Sequence, residues 1–455
     1  DSIRAGVLIS DRDDFIAGAD IKAFKAEKKG DFMPFLEKGH DILNKLASSK
    51  KPIVAAIHGT AYGLGTELPL ACHGRVCSDD SRTKLALPEV KLGLLPGGGG
   101  TQRLPRLVGL QKSLDMMLTG KNIYGRQAKR IGLVDEVVNR NKLHKAAVRL
   151  ADKIIASGGT LPRKRKRSMM AKFLDGTSMG RNLVYKKAKE KVMKLTQGNY
   201  PAVPKIIDCA EYGLKNGMKK GLAFEREGFE ELMLTQASKE LRQIFFNMTD
   251  NKKNPYADKQ DVNTLGVLGA GFMGAGIAEV SIMSKMDVVL KDINDEVIRD
   301  AYKTIWKTLK KKLKRKQISK VEADKIIGRV RQRLEYDGFE NIHLVVEAVV
   351  EKMELKKAII SELEAICPED YIFATNTSAL SVTEMAEHAK KPENVVGMHY
   401  FSPVPKMPLL EIVKTKYTSA KTLGTAYDIG VRQGKTCIVV QDGPGFYANR
   451  ILAPY

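Results

Sequence analysis

Short apolar runs alternate along this chain with longer segments whose apolar residues recur at helical spacing. Val7-Leu-Ile-Ser10 and Ile53-Val-Ala-Ala-Ile57 read as short buried strands, and Phe32 to Leu46 between them reads as a helix. Glu67-Leu-Pro-Leu-Ala-Cys-His73 predicts another helix, with Pro69 confined to the first turn because proline has no N–H to give to a later one. A further helix is expected from Gln102. From Tyr200 to Phe246 the spacing predicts a helix pair, on which Glu225, Glu227, Glu230 and Glu231 read as solvated positions. Asn251 to Asp261 is polar and unpatterned, as linkers are.

Beyond that linker the rhythm changes. Strand candidates at Val267-Leu268, Asp287–Lys291, Leu344–Val350, Tyr371–Ala374, Val395–Phe401 and Cys437–Val440 are separated by helical stretches. One of these stretches places Val297, Ala301, Ile305, Leu309 and Leu313 on a single stripe. Such alternation predicts a doubly wound parallel sheet. Its first turn carries the candidate cofactor residues Gly269, Gly271, Phe272, Met273 and Gly274. Gly269 permits a tight turn, Gly271 lets backbone amides approach a pyrophosphate, and Gly274 lets the helix pack against the sheet. The phosphates would sit on the helix N-terminus. Asp292, 23 positions after Gly269, stands where a carboxylate takes the ribose 2′-hydroxyl and repels a 2′-phosphate, so NAD is expected ahead of NADP.

Composition narrows the class. The 455 residues allow two or three domains, and 43% hydrophobic with 28% charged residues is ordinary for a globular protein. The absence of an initiating Met at Asp1 reads as a fragment cut at its start. Five scattered cysteines (72, 77, 209, 367 and 437) suggest neither a disulfide framework nor a metal cluster, so no metal is expected and the compartment is a reducing one. A net charge of +23 leaves three partners open: nucleic acid, an anionic membrane surface, or polyanionic substrates such as coenzyme A esters and nucleotides. The basic runs Arg163–Arg167 and Lys310–Lys316 read as solvated charge at helix ends. The first lacks the interleaved aromatics of a nucleic-acid platform.

Candidate chemistry lies at both ends. Glu67 and Glu89, 22 positions apart, each adjoin a glycine-rich turn. Two carboxyls can divide acid and base duties when water adds across a polarised double bond. Spacing alone does not pair them. The wording around them does: Phe15-Ile-Ala-Gly-Ala-Asp-Ile-Lys22, His58 to Glu67, and Leu87-Pro-Glu through Pro96-Gly-Gly-Gly-Gly-Thr101 to Leu104 resemble the enoyl-CoA hydratase (crotonase) family over about 140 residues. That resemblance implies a crotonase-like spiral domain. It makes Glu67 and Glu89 the catalytic pair and assigns the backbone amides of Ala19 and Leu64 to the oxyanion hole. Leu64 departs from the family's usual glycine; at a positive φ it would cost about 1–2 kcal/mol.

Toward the end stand Asn376-Thr-Ser378, His399, Glu411 and Asn449. A secondary alcohol is oxidised only if a base takes its proton, and histidine titrates in the right range. Glu411, twelve positions on, is a candidate to orient that ring. Gly-Met-His-Tyr-Phe-Ser-Pro-Val404, Leu-Leu-Glu-Ile412 and Gly-Pro-Gly-Phe-Tyr-Ala-Asn-Arg450 resemble the L-3-hydroxyacyl-CoA dehydrogenase family. The resemblance implies NAD as cofactor, His399 as base, Glu411 as its partner, and Ser378 and Asn449 as holders of the substrate oxygens. It puts Glu347 in the cofactor-contacting loop; Ala379 replaces a serine of the family.

Both halves together resemble the multifunctional fatty-acid-oxidation alpha-subunit family. The expected architecture is α/β: a crotonase-like domain over 1–199, a helical linker over 200–262, and a Rossmann-type domain over 263–455 without the family's C-terminal helical region. The resemblance further implies acyl-CoA thioesters as substrates and a beta-subunit thiolase partner in an α2β2 assembly. No nucleic acid is implied, and peripheral membrane contact is a secondary reading. The motif wording points to a bacterial cytoplasm, with the mitochondrial matrix as the alternative.

Overall fold

The computed structural model describes residues 2–161, 169–314 and 317–454. The basic run Arg163–Arg167 and the last two residues of Lys310–Lys316 lie outside the described residues. The chain divides into two compact units, 1–245 and 246–455.

In the first unit four parallel strands lie side by side in chain order: β1 (Gly6–Ile9), β2 (Ile53–Ile57), β3 (Gly74–Ser78) and β4 (Glu136–Val138). The sheet is buried on both faces, which is why β2 reads as an unbroken apolar run. Val54 and Ala56 face one apolar cluster while Ala55 and Ile57 face another. A second, three-stranded sheet pairs Thr60–Tyr62, Lys84–Ala86 and Ile123–Tyr124. The helices used below are α1 (Met33–Ala47), α2 (Leu64–Ala71), α3 (Gly100–Val108), α4 (Ala202–Asn216), α5 (Met218–Leu234) and α6 (Gln236–Asp250).

Three expectations change here. Helix α2 starts at Leu64 rather than after Gly65, so Pro69 stands inside the helix and not in its first turn. Helices α4 and α5 are no free-standing linker: they belong to the first unit, with Ile206, Ile207, Phe229, Leu232 and Met233 in its core. On α5, Glu225 and Glu230 are fully buried, whereas Glu227 and Glu231 are exposed as expected. Helical spacing is the reason. Glu225 falls on the stripe of Leu222, Phe229 and Leu232, and a carboxylate there must find donors.

The second unit is built on eight strands: β5 (Thr264–Leu268), β6 (Asp287–Lys291), β7 (Val330–Arg333), β8 (Leu344–Glu347), β9 (Ile372–Thr375), β10 (Val395–Tyr400), β11 (Leu409–Lys414) and β12 (Thr436–Gln441). Their order is β7-β6-β5-β8-β9-β10-β11-β12, parallel except between β10 and β11. The first six strands follow the order of the dinucleotide-binding fold, with the switch point between β5 and β8. Helices α7 (Phe272–Met283), α8 (Asp295–Lys314) and α9 (Ala448–Leu452) complete the parts that matter. Leu344 and Val346 enter one core and Val345 the other, so this sheet too is covered on both faces.

Candidate functional site

In the first unit a cavity of about 310 Å3 opens among Ala19, Leu64, Glu67, Glu89, Phe32 and Phe229. The four residues expected at one reaction centre are therefore brought together. Gly63 carries the positive φ of the turn, +54°, and Leu64 begins the helix without strain, so the leucine costs nothing in backbone energy. As first residue of α2, Leu64 has an amide without a partner inside the helix.

Glu67 is 3% exposed, and its Oε1 accepts from the amides of Gly98 and Gly100, both at 2.8 Å. Glu89 lies over Gly63, where a methyl group would meet its Oε1 at 2.9 Å. The other oxygen of Glu89 is sealed from solvent with no hydrogen-bond partner among the described residues. Burial, and then the charge of Glu225, push the Glu67 carboxyl up to about 7 against the two amides that hold it down. Burial and the charge of Glu67 push Glu89 well above the carboxylate range. Glu67, with two amides, bears a negative charge more readily than Glu89, whose Oε2 has no partner among the described residues.

This has a consequence for stability. The folded chain holds the Glu67 proton more tightly than the unfolded chain, so this contribution is complete below about 4.5 and is lost as pH rises through about 7. Its size is on the order of 3 kcal/mol. Glu67→Gln removes the titrating carboxyl and flattens that slope. Thermal melts of both chains between pH 5 and 8 test it: parallel curves would contradict the raised Glu67 carboxyl.

In the second unit the glycine turn joins β5 to α7. Gly269 has φ +88°, and a methyl at Gly274 would fall 1.7 Å from the Gly269 carbonyl oxygen, so only glycine lets the helix pack this close. A methyl at Gly271 would meet nothing within 4 Å, which leaves room beside the first amides of α7, at Phe272 and Met273, for an anion. Asp292, at the end of β6, accepts from the Ala270 amide at 2.8 Å and from the Asn294 amide at 3.1 Å. It therefore ties the turn to the next strand. These residues fit a dinucleotide.

Glu347 stands apart from them. It is fully buried at the end of β8, and its oxygens accept from Lys356 Nζ at 2.7 Å each, from Thr375 Oγ1 at 2.7 Å and from the Val349 amide at 2.8 Å. With its oxygens so engaged, it shapes the loop beside Gly269 rather than offering its carboxylate to a ligand. Neighbouring Glu351, which sequence reasoning passed over, accepts from Thr377 Oγ1 at 2.5 Å and from the Ser378 amide at 3.0 Å. It lies 3.2 Å from Lys356. No periodic pattern singles it out.

His399 and Glu411 are direct partners across the antiparallel β10–β11 pair, which explains a spacing of twelve. His399 Nδ1 is 2.7 Å from Glu411 Oε2, both residues being buried, while ring nitrogen Nε2 has no partner among the described residues. A carboxylate at Nδ1 leaves the proton on that nitrogen and the lone pair on Nε2. The second Glu411 oxygen accepts from the amides of Tyr447 and Ala448 at 3.2 and 2.7 Å, at the start of α9. Asn449 Nδ2 donates to the Ser378 carbonyl at 3.3 Å, and Asn376 Oδ1 accepts from the Tyr400 amide at 2.9 Å. Phe446, whose ring lies 5.6 Å from that of His399, holds a left-handed φ of +48°. Such strain gathers at functional sites.

Comparison with known proteins agrees with this division. Residues 1–199 match the model for "Enoyl-CoA hydratase/isomerase", and residues 264–443 match "3-hydroxyacyl-CoA dehydrogenase, NAD binding domain". The chain is 47% identical over 459 residues to the fatty acid oxidation complex subunit alpha of Shewanella putrefaciens strain CN-32, covering 100% of this chain and 64% of that one. It is 47% identical over 460 residues to the same-named subunit of Shewanella baltica strain OS155, covering 65% of it. The chain thus spans just under two thirds of the length of these relatives. No helix among the described residues is long and apolar enough to cross a membrane.

Proposed function

We propose, for a chain that belongs to the enoyl-CoA hydratase/isomerase family over 1–199 and to the NAD-binding 3-hydroxyacyl-CoA dehydrogenase family over 264–443, that it carries out two successive steps of fatty acid β-oxidation. The observation that supports the first step most is the pair of carboxylates on one cavity, Glu67 buried and Glu89 half-buried with one unpartnered oxygen among the described residues. Water adds to a trans-2-enoyl-CoA there. Glu67 takes a proton from the water as its oxygen bonds to carbon 3, and Glu89 gives a proton to carbon 2. The amides of Ala19 and Leu64 hold the negative charge that grows on the thioester oxygen.

In the second unit the resulting L-3-hydroxyacyl-CoA loses its hydroxyl proton to His399 Nε2. Bound on the glycine turn, NAD would supply the acceptor for the hydride that leaves carbon 3. Glu411 stabilises the imidazolium, and Ser378 and Asn449 hold the substrate oxygens. Gly269, Gly271, Phe272, Met273 and Gly274 receive the dinucleotide and Asp292 its ribose; Glu347 supports the loop beside them. The 3-ketoacyl-CoA product is a thiolase substrate, so a thiolase beta subunit is the proposed partner, in an α2β2 assembly. The proposed location is the bacterial cytoplasm, following the source of the relatives.

Feeding a medium-chain trans-2-enoyl-CoA with NAD and following enoyl absorbance and NADH tests both steps. Loss of the first signal followed by rise of the second is expected; a steady enoyl signal rules out hydration. Asp292→Ala removes the carboxylate from the ribose position and should weaken NADH binding about 10–100-fold, narrowing the preference over NADPH. Fluorescence titration with both nucleotides reads this, and an unaltered ratio would argue that Asp292 serves only the turn.

A further inference from the structure

The turn Gly97–Thr101 is gripped from two sides. The amides of Gly98 and Gly100 donate to Glu67, both at 2.8 Å. Those between and after them, of Gly99 and Thr101, donate instead to the two oxygens of Glu225, at 2.6 and 3.0 Å. The Thr101 hydroxyl donates to Glu225 as well. The carbonyl side is held too. Arg103 donates to Gly98 O at 3.0 Å, and His40 Nε2 donates to Gly97 O at 2.7 Å. Arg226 donates to His40 Nδ1 at 3.2 Å, which leaves the ring proton on Nε2, 3.3 Å from Glu225 Oε1.

The run of four glycines follows from this crowding. A methyl at Gly98 or Gly100 would fall 2.8 or 2.6 Å from a Glu67 oxygen, and one at Gly99 would fall 1.7 Å from the Arg103 guanidinium. At Gly97 it would meet the Phe229 ring at 2.6 Å.

Glu225 does not line the cavity, and it lies in the stretch 200–263 that neither family model covers. It is nevertheless fully buried and fully engaged with this turn. We propose that Glu225 is a positioning residue for hydration: by holding the Gly99 and Thr101 amides it sets the Gly98 and Gly100 amides that aim Glu67 at the water. This rests on the hydration reading above. Burying an anion is costly, and the three hydrogen bonds from Gly99 and Thr101, with Arg103 and His40 nearby, offset that cost. An anion also accepts more strongly than a neutral amide would, which stiffens the turn. A displacement of about 1 Å at Glu67 is enough to slow the reaction by about 10²-fold.

The test compares hydration by the wild-type chain with Glu225→Gln, Thr101→Val and Thr101→Ser, using a medium-chain trans-2-enoyl-CoA. Wild-type hydration must be seen first; without it the hydration reading itself fails, and separately from this proposal. Given that activity, Glu225→Gln should lower kcat about 10–100-fold with KM changed less than about threefold. NADH production from supplied L-3-hydroxyacyl-CoA should be unaltered, as a control for folding. Thr101→Val should lower kcat by a smaller factor and Thr101→Ser should restore it. A folded Glu225→Gln chain with wild-type kcat overturns the proposal, as does one whose only defect is a lower melting temperature. If Glu225→Gln does not fold, Thr101→Val decides: an unchanged kcat overturns the proposal.

Discussion

Glu89→Gln is expected to slow hydration of a trans-2-enoyl-CoA by about 10²–10⁴-fold, the usual worth of a positioned acid. The substitution keeps the shape of the side chain and removes only the transferable proton. The environment makes the effect large. One Glu89 oxygen has no partner among the described residues, and burial with the charge of Glu67 makes the carboxyl hold its proton more tightly than a surface glutamate would. An amide in that place cannot hand a proton to carbon 2. Oxidation of L-3-hydroxyacyl-CoA by the same chain should continue at its normal rate, since none of its residues is touched. Enoyl absorbance and NADH, followed separately, give both rates. A hydration rate within twofold of wild type would remove Glu89 from the mechanism.

His399→Gln should produce the opposite split: NADH formation falls by about 10²–10⁴-fold and hydration is untouched. The ring's free Nε2 and its Nδ1 contact to Glu411 at 2.7 Å fix both the tautomer and the direction of proton transfer. Glutamine fills similar space but takes no proton at neutral pH. The rate should regain part of its loss as pH rises and hydroxide replaces the missing base. A pH-independent loss would point to a steric cause.

Much of this was legible in the residue pattern. Strands β2, β6, β8 and β10 stand out as apolar runs because each is buried on both faces, and the glycine turn after β5 stands out because close packing tolerates nothing else. Short strands such as Lys84–Ala86 and Ile123–Tyr124 left no periodic trace, being only three and two residues long. His399 and Glu411 were legible as candidates. Their contact was not, since it depends on strands β10 and β11 running antiparallel in a sheet whose other pairs are parallel.

Glu225 and Glu230 misled in an instructive way. Charge argued for solvent, yet helical spacing put Glu225 among Leu222, Phe229 and Leu232. Glu230 accepts from the amides of Gly30, Phe32 and Met33, closing the start of α1, which has no side-chain cap of its own. Donors 124 to 200 positions away cannot be seen in a local window. The proposed oxyanion amides are invisible for a different reason: they are main-chain groups, and any residue supplies one. Leu64 shows this, because the positive φ that would have demanded glycine falls on Gly63.

Glu411 gives one oxygen to His399 and the other to the amides of Tyr447 and Ala448, immediately before Asn449. One side chain thus serves two parts whose contributions cannot be summed independently. In a thermodynamic cycle over Glu411→Gln and Asn449→Ala, the double variant should lose less rate than the product of the two single losses, because releasing Glu411 already lets Asn449 drift. The interaction energy of that cycle measures how far the proposed proton acceptor and the proposed substrate anchor behave as a single unit.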